Sequence, residues 1–188
     1  MRDMTMNFRL NAAERRVFLL LAAGHVMFAV ALLTLAERLG DYGLYAITPL
    51  FGLPLVLFGP RDRWRVRASV LLLGFALIHY AAVFFAGRSF RIPFSGQGFT
   101  DSLWIAGAIG GLVGAAGSLA LCALGRMLRP ASQAMLAIAV VALCLIGAVG
   151  VGLLFDRSDG PGASFRFFIL YTPWQLAFAY FLAKLLRD

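Results

Sequence analysis

A small set of polar side chains lies inside the apolar stretches of this 188-residue chain. The set comprises two imidazoles, a hydroxyl, a phenol, an indole and a carboxamide, at His25, Thr48, His79, Tyr171, Trp174 and Gln175. Imidazoles can ligate a haem iron or a metal ion, and hydroxyl and amide groups can hold a small molecule by hydrogen bonds. Whether they act together depends on the elements that position them.

The apolar stretches predict an all-α membrane protein. Asp, Glu, Lys and Arg are absent from six runs, at about 17–36, 42–59, 68–87, 103–125, 133–155 and 167–183. A helix of about 18 or more apolar residues is long enough to cross a bilayer. Hydrophobic residues make up 61% of the chain and charged residues 14%, whereas soluble domains have about 45–50% and 25%. We therefore predict one integral membrane domain over 1–188, a bundle of six transmembrane helices.

The basic residues predict the orientation of this bundle. Twelve of the 17 Lys and Arg residues lie in the N-terminal tail, the loops after the second and fourth runs, and the C-terminal end. An excess of Lys and Arg in short loops marks the cytoplasmic side. We expect a bacterial inner-membrane protein with both termini cytoplasmic. The basic residues behind the net charge of +8 are then expected to fix the orientation in the membrane and to contact lipid headgroups. Nucleic-acid binding is not predicted, because the sequence contains no recognition module for it.

Two local signals refine the first two runs. Asn11 and Glu14 have the spacing of a capping box, which predicts a helix start ahead of the first run. The second run is barely long enough to cross and contains Pro49 and Pro54. Each proline removes a helical hydrogen-bond donor and clashes with the preceding turn, so we predict a single span kinked at these two residues.

Counting from the basic ends places several polar residues at similar depth. His25 lies nine residues beyond the basic end of the first run, and His79 lies twelve beyond that of the third. At about 1.5 Å per residue, the two imidazoles are within roughly 5 Å of each other in depth. Thr48 and Gln175 lie near the middles of the second and sixth runs. Polar groups at such depth usually face the bundle interior or a cavity.

Three uses of this polar layer are open at the level of sequence. The first is hydrogen bonding between helices, and the second is a ligand site near the membrane midplane. The third is axial ligation of a b-type haem by His25 and His79. An enzyme is less favoured, because the chain has no HExxH, GxSxG or paired-carboxylate pattern. The runs also contain no Asp or Glu, which disfavours an autonomous proton-driven carrier.

The fourth run carries two stripes of small residues. Gly107 and Gly111 are four residues apart, and so are Gly110, Gly114 and Ser118. Small residues at this spacing let helix backbones approach closely in lipid. The stripes predict tight packing against the fifth run of the same chain, or docking against a partner membrane protein or a second copy.

The sixth run carries a contrasting stripe of large rings. Spacings of four and three place five aromatic side chains on one helical face, at Phe167, Tyr171, Trp174, Phe178 and Phe181. These rings can pack over a glycine-rich neighbour. Alternatively, they can line a cavity beside Gln175, where ring faces and an amide suit a small molecule.

We therefore predict a small membrane protein that binds a small molecule in a mid-membrane pocket, as a transporter or a subunit of one. The predicted ligand-binding residues are the six polar and aromatic residues named first, and no cofactor or bound metal is expected. The alternatives are a non-catalytic assembly subunit that uses the glycine-rich face and a haem-bearing redox protein. The layout is similar to that of the substrate-binding subunits of vitamin-uptake transporters, which work with separate energising partners. This likeness is one of architecture only.

Overall fold

The structure is a computed structural model that describes residues 9–35, 38, 43–61, 64–89, 99–129, 133–155 and 163–187, with backbone alone for 99–101, 155, 163 and 164. The described chain is helical. Its elements are α1 (Ala12–Thr34), α2 (Gly43–Ile47), α3 (Pro49–Phe58), α4 (Trp64–Ala68), a π-helical segment (Ser69–Gly74), α5 (Phe75–Ser89), α6 (Phe99–Leu124), α7 (Gln133–Phe155) and α8 (Ala163–Leu185).

The all-helical prediction is confirmed, together with helices able to cross a membrane. Four described helical segments are long and apolar enough, at Ala12–Thr34, Trp64–Ser89, Ser102–Leu124 and Gln133–Leu154. Gly43–Phe58 is a shorter apolar stretch, and α8 is not among the four although it has 23 residues. The middle of α8 contains polar and aromatic residues and Pro173, which lower the hydropathy of this helix. The count of six spans therefore stays a prediction.

The second run differs from the single kinked helix that its prolines predict. Helix α2 ends at Ile47 and α3 begins at Pro49, so the run is broken at Thr48. Pro49 takes the first position of a new helix, where its missing N–H would have no partner anyway. Pro54 lies within α3 without ending it. The run is therefore interrupted at Pro49 as a break between two helices, whereas the predicted kink at Pro54 stays a prediction.

Helix α1 begins with the predicted capping box. The Glu14 N–H donates to Asn11 Oδ1 at 2.9 Å, and the Asn11 N–H donates to Glu14 Oε2 at 2.9 Å. These two bonds satisfy donors that the first turn of a helix leaves without backbone partners. The start of the first predicted helix is therefore confirmed.

One end of the molecule is joined by polar contacts between segments far apart in sequence. The Lys184 ammonium lies 2.9 Å from the Glu14 carboxylate, and the Arg129 guanidinium lies 3.4 Å from its other oxygen. The Arg16 guanidinium donates to the Phe58 carbonyl at 3.1 Å. The start of α1 and the ends of α3, α6 and α8 consequently lie together.

The helices form a closed ring. Each neighbour contacts the next in the order α1, α3, the π segment with α5, α6, α7, α8 and again α1. Glycines allow close approach at these contacts. A Cβ added at Gly24 would lie 2.0 Å from the Phe51 carbonyl oxygen, and one at Gly52 would lie 2.8 Å from the Leu71 Cβ. The ring leaves space at its centre, and α5 and α8 face each other across it.

Candidate functional site

His79 of α5 lies at the centre of a hydrogen-bonded chain that joins three helical segments. Its Nε2 is 2.6 Å from Tyr171 Oη, and its Nδ1 is 2.6 Å from Thr48 Oγ1. The Thr48 hydroxyl also donates to the Leu44 carbonyl at 3.0 Å. A hydroxyl has one proton, so His79 Nδ1–H must donate to Thr48 and Nε2 must accept from the Tyr171 hydroxyl. A neutral imidazole completes this chain, and every one of its polar protons is used.

A second polar pair joins α1 to α8. His25 Nδ1 lies 2.8 Å from Gln175 Oε1, and both residues are buried, at 6% exposure. Because a carboxamide oxygen can only accept, the His25 N–H is the donor. The Gln175 amide NH₂ makes no hydrogen bond to any residue that the structure describes. This pair therefore leaves donors available for another group.

The two polar groups include residues that lie next to a proline or close to one. Thr48 stands at the break between α2 and α3. Tyr171 and Gln175 flank Pro173, which lacks the N–H that would continue the hydrogen-bond ladder of α8. One part of the polar layer thus lies at a break between helices, and another lies beside a proline within the continuous helix α8.

A cavity of about 290 Å³ lies inside the ring, and the polar layer forms part of its wall. The wall on α8 consists of large side chains, at Phe167, Leu170, Tyr171, Trp174, Gln175 and Phe178. The wall on α5 repeats every three or four residues, at Phe75, Ile78, His79, Ala82, Val83 and Ala86. The wall on α6 is nearly free of side chains, at Ala106, Gly107, Gly110, Gly111, Gly114 and Ser118. The cavity therefore lies between aromatic rings on one side and glycine on the other.

The two glycine stripes of α6 have different neighbours. A Cβ added at Gly107 would lie 2.3 Å from the Gly147 carbonyl oxygen, and one at Gly111 would lie 2.7 Å from the Leu143 carbonyl oxygen. The first stripe therefore packs against the backbone of α7. A Cβ added at Gly114 would lie 3.1 Å from the Trp174 ring. The second stripe faces side chains instead, and residues of both stripes border the cavity.

A surface depression of about 540 Å³ borders residues 10–12, 15, 16, 19 and 20. All of them belong to one segment at the start of α1. None belongs to the polar layer, so this depression is a feature of the outer surface and separate from the central cavity.

The structure brings the predicted residues together in two groups. Thr48, His79 and Tyr171 form one group, and His25 and Gln175 form the other. Trp174 stacks on Phe178 beside them, with ring centroids 5.3 Å apart and planes at 9°. All of the predicted ligand-binding residues except His25 line the cavity. Their assignment to ligand binding stays a prediction.

Sequence reasoning missed part of the cavity wall. Phe51, Phe75, Ile78 and Ala82 line it but were not predicted. A signal for three of them was present, because Phe75, Ile78 and Ala82 lie four residues before, one before and three after His79. Extending the helical face through His79 would have found them. Phe51 required the structure, because it lies beyond the break in the second run.

Axial ligation of a haem by His25 and His79 would compete with the hydrogen bonds that these two histidines already make. Both ring nitrogens of His79 are hydrogen bonded, so axial ligation would require the bond to Thr48 or to Tyr171 to break. His25 is bonded to a different partner, Gln175. Within the described residues, no three or more His, Cys, Asp or Glu side chains come together as a metal site would need.

Comparison with protein-family models, with curated proteins and with solved structures finds no match to this chain. Fold and site therefore have to be interpreted from their own physical properties. In the part of the chain that the structure describes, fold and site define an all-helical protein with four helices long and apolar enough to cross a membrane and with a largely apolar cavity inside its helix ring.

Proposed function

We propose that this chain is a bacterial inner-membrane protein that binds a small molecule inside its helix ring and acts in transport. The central cavity is the observation that carries the proposal. Its volume of about 290 Å³ lies near the lower end of the about 300–1,000 Å³ typical of ligand pockets. Such pockets have mostly apolar walls and a few convergent polar groups, which here are supplied by Thr48, His79, Ser118 and Gln175.

The outer surface of the ring supports a membrane environment. Large apolar side chains point away from the bundle on several helices; Val30 is 57% exposed, Leu77 70% and Leu145 59%. Soluble monomers rarely expose contiguous apolar surface of this kind. We propose six spans, with α2 and α3 together as the second and α8 as the sixth.

The joined end of the ring supports the proposed orientation. Contacts of Glu14, Arg16, Arg129 and Lys184 hold together the start of α1 and the ends of α3, α6 and α8. A chain that crosses at every run would bring these four positions to one side. This side also carries most of the basic residues, so we place it in the cytoplasm, together with both termini.

The position of the cavity beside interrupted helices favours transport over simple packing. Transporters commonly bind substrate near the midplane, where broken helices supply polar groups. Here Thr48 stands at such a break and lines the cavity. Because the apolar runs contain no Asp or Glu, we propose that a partner membrane protein supplies the energy.

Native mass spectrometry of protein purified in mild detergent tests the proposal. We expect the wild-type protein to retain a small molecule and the Gly114→Leu variant to lose it, because the new side chain occupies the cavity. Ala116→Leu is the matched control, since Ala116 lies on the exposed face of the same helix. Equal amounts of bound molecule in all three proteins, or none in the wild type, would contradict a cavity ligand.

Membrane topology is tested separately by labelling single cysteines in whole cells. With Cys122 and Cys144 replaced, we expect Ser158→Cys to react with a membrane-impermeant maleimide. A cysteine at Arg61 should react only after the cells are opened. Reaction of both positions from the same side would contradict the six-span arrangement.

A further inference from the structure

We propose that the ligand of this cavity is an uncharged molecule with a planar ring as its body and a hydrogen-bond acceptor, such as a carbonyl group, at one end. This inference rests on the proposed function and concerns the same cavity. It follows from the charge of the wall, from the polar groups that the wall leaves without partners, and from its shape.

The wall excludes a charged ligand. No Asp, Glu, Lys or Arg side chain borders the cavity among the described residues. An ion that entered it would lose its hydration without meeting an opposite charge, which costs far more than burying a neutral polar group. His79 gives no compensation, because both of its ring nitrogens already have partners in the Tyr171–His79–Thr48 chain.

Two polar groups on the wall each carry a donor hydrogen that no described residue accepts. The Ser118 hydroxyl makes no hydrogen bond to a described residue, and the Gln175 NH₂ is likewise without a partner in the described chain. Ser118 and Gln175 are both more than nine-tenths buried, at 5% and 6% exposure. Neither the Ser118 hydroxyl oxygen nor the Gln175 amide nitrogen is completely enclosed by protein. Buried donors need acceptors, so the ligand is expected to bring one.

These two donors lie toward the same end of the cavity. Helices α6 and α8 run in the same direction, since the chain after each of them meets at the antiparallel bridge between Leu128 and Leu186. Ser118 lies one turn beyond Gly114, and Gln175 follows Trp174, the residue that contacts Gly114. Toward Phe167 the polar groups of the wall are those of Thr48, His79 and Tyr171, which already bond to one another, and the other wall residues there are apolar. The acceptor therefore belongs at the end of the cavity nearer the joined termini.

The shape of the wall favours a flat body. Trp174 stacks on Phe178 through one face of its indole, and no other described ring pairs with it. Opposite the α8 rings, Gly110 and Gly114 present no side chains. Because Trp174 lines the cavity, a planar ring bound there can make offset-stacked or edge-to-face contacts with the indole, and both arrangements are favourable beyond the area they bury.

Three matched probes test this ligand class: naphthalene-2-carboxamide, naphthalene-2-carboxylate and naphthalene. They share one ring system and differ in charge and in the acceptor. Binding to the full chain in lipid nanodiscs is measured by equilibrium dialysis at pH 8, with empty nanodiscs as the blank. We expect the carboxamide to bind at least about tenfold more tightly than the carboxylate. It should also bind more tightly than naphthalene, which has no acceptor.

Two variants assign the probe to the cavity. Ser118→Ala should weaken carboxamide binding by about three- to tenfold, the range for one lost hydrogen bond, and leave naphthalene binding unchanged. Gly114→Leu should abolish specific binding of all three probes. The wild-type comparison of the probes does not depend on either variant being folded.

The outcomes separate this inference from the proposed function. Equal binding of carboxylate and carboxamide overturns the requirement for a neutral ligand, and equal binding of naphthalene and carboxamide overturns the requirement for an acceptor. If no probe binds but a native molecule is retained by wild type and lost from Gly114→Leu, the ligand class is wrong and the proposed function stands. If neither experiment detects an occupant, both are wrong.

Discussion

The two glycine stripes of α6 have the same residue type and the same spacing, yet they meet different surroundings. Gly107 and Gly111 face the backbone of α7, with carbonyl oxygens where a Cβ would stand. Gly110 and Gly114 face small side chains of α5, the edge of Trp174 and the central cavity. Gly107 and Gly111 also border the cavity, but the space beside their Cα atoms is filled by the α7 backbone, whereas Gly110 and Gly114 stand opposite side chains of α5 and α8.

The difference shows that a small-xxx-small pattern specifies a helix face with almost no side chains, but does not specify which surface packs against that face. Where the partner is another glycine-containing helix, the backbones close together and dispersion contacts stabilise the pair. Where the partner carries rings held in place by hydrogen bonds, the backbones stay apart and a cavity remains. Here the Tyr171–His79 bond spans α8 and α5 on either side of this space. The first stripe is used within the chain, so an assembly role would need another surface.

The largest effect is expected from adding a methyl group to the packed stripe. In Gly107→Ala the new Cβ would meet the Gly147 carbonyl oxygen at 2.3 Å and the Val151 Cβ at 2.8 Å. Overpacking of this kind costs about 1–3 kcal/mol, which outweighs the gain of about 0.5–1 kcal/mol from the better helix propensity of alanine. We expect a lower free energy of unfolding in mixed detergent micelles, followed by circular dichroism. A stability equal to or above that of wild type would remove the distinction between the stripes.

The next effect concerns ligand retention, with little change in stability. In Gly114→Leu the neighbour is the far end of the Trp174 side chain, and the cavity can take the added atoms. We expect the same helical content as wild type and a smaller loss of stability than in Gly107→Ala, because the added atoms meet a flexible side chain and empty space in place of backbone. Cavity ligand should be lost, as measured by native mass spectrometry. Unfolding as severe as in Gly107→Ala would show that both stripes pack equally tightly.

A smaller effect is expected from removing the bond that spans the cavity. Tyr171→Phe deletes the hydroxyl that donates to His79 Nε2 and keeps the ring. Hydrogen bonds between membrane helices average about 0.6 kcal/mol and reach about 1.7 kcal/mol, so we expect a destabilisation in this range.

The control for this variant is Tyr80→Phe. Tyr80 is 49% exposed, and its hydroxyl has no hydrogen-bond partner among the described residues. Its removal should change the free energy of unfolding by less than about 0.5 kcal/mol. Equal losses in the two variants would mean that the cavity-spanning bond contributes no specific stability.

The smallest effect is expected at Gly87, on the α5 wall of the cavity. A Cβ added there would meet no atom within 4 Å, so Gly87→Ala should be neutral or stabilising by up to about 1 kcal/mol through helix propensity. The measurement is the same unfolding titration, and the variant serves as the control for Gly107→Ala. A clear loss of stability would show that glycine is needed at this position for a reason other than space.

Much of the fold was predictable, because apolar length and helix-start signals are local properties. The Asn11–Glu14 capping box and the four long apolar segments appear as predicted. The break at Thr48 was only partly predictable, because both prolines lack the backbone N–H and the local sequence does not indicate which of them ends a helix. Pro49 became the first residue of a new helix, whereas Pro54 stayed within α3. The π segment over Ser69–Gly74 had no signal in the sequence pattern that we used.

The candidate site divides in the same way. Counting residues from the basic ends brought His25, Thr48, His79 and Gln175 to similar depth, because a helix rises by a fixed distance per residue. It did not predict which of them bond to each other. His79 pairs with Thr48 and Tyr171, and His25 pairs with Gln175. Depth is a property of one helix, whereas pairing depends on which helices are neighbours and how each is rotated.

The sequence by itself determined that this chain is helical and apolar enough to enter a membrane. It also determined which residues are polar inside the apolar runs, and that α6 carries two stripes of small residues. Only the tertiary structure decided that the helices close into a ring, that one stripe packs on the backbone of α7 while the other faces side chains of α5 and α8, and that both border a cavity. The physical reason is the range of the interactions. Hydropathy, capping and helical rise act along one segment, whereas a cavity exists only where surfaces of several segments meet and fail to fill the space between them.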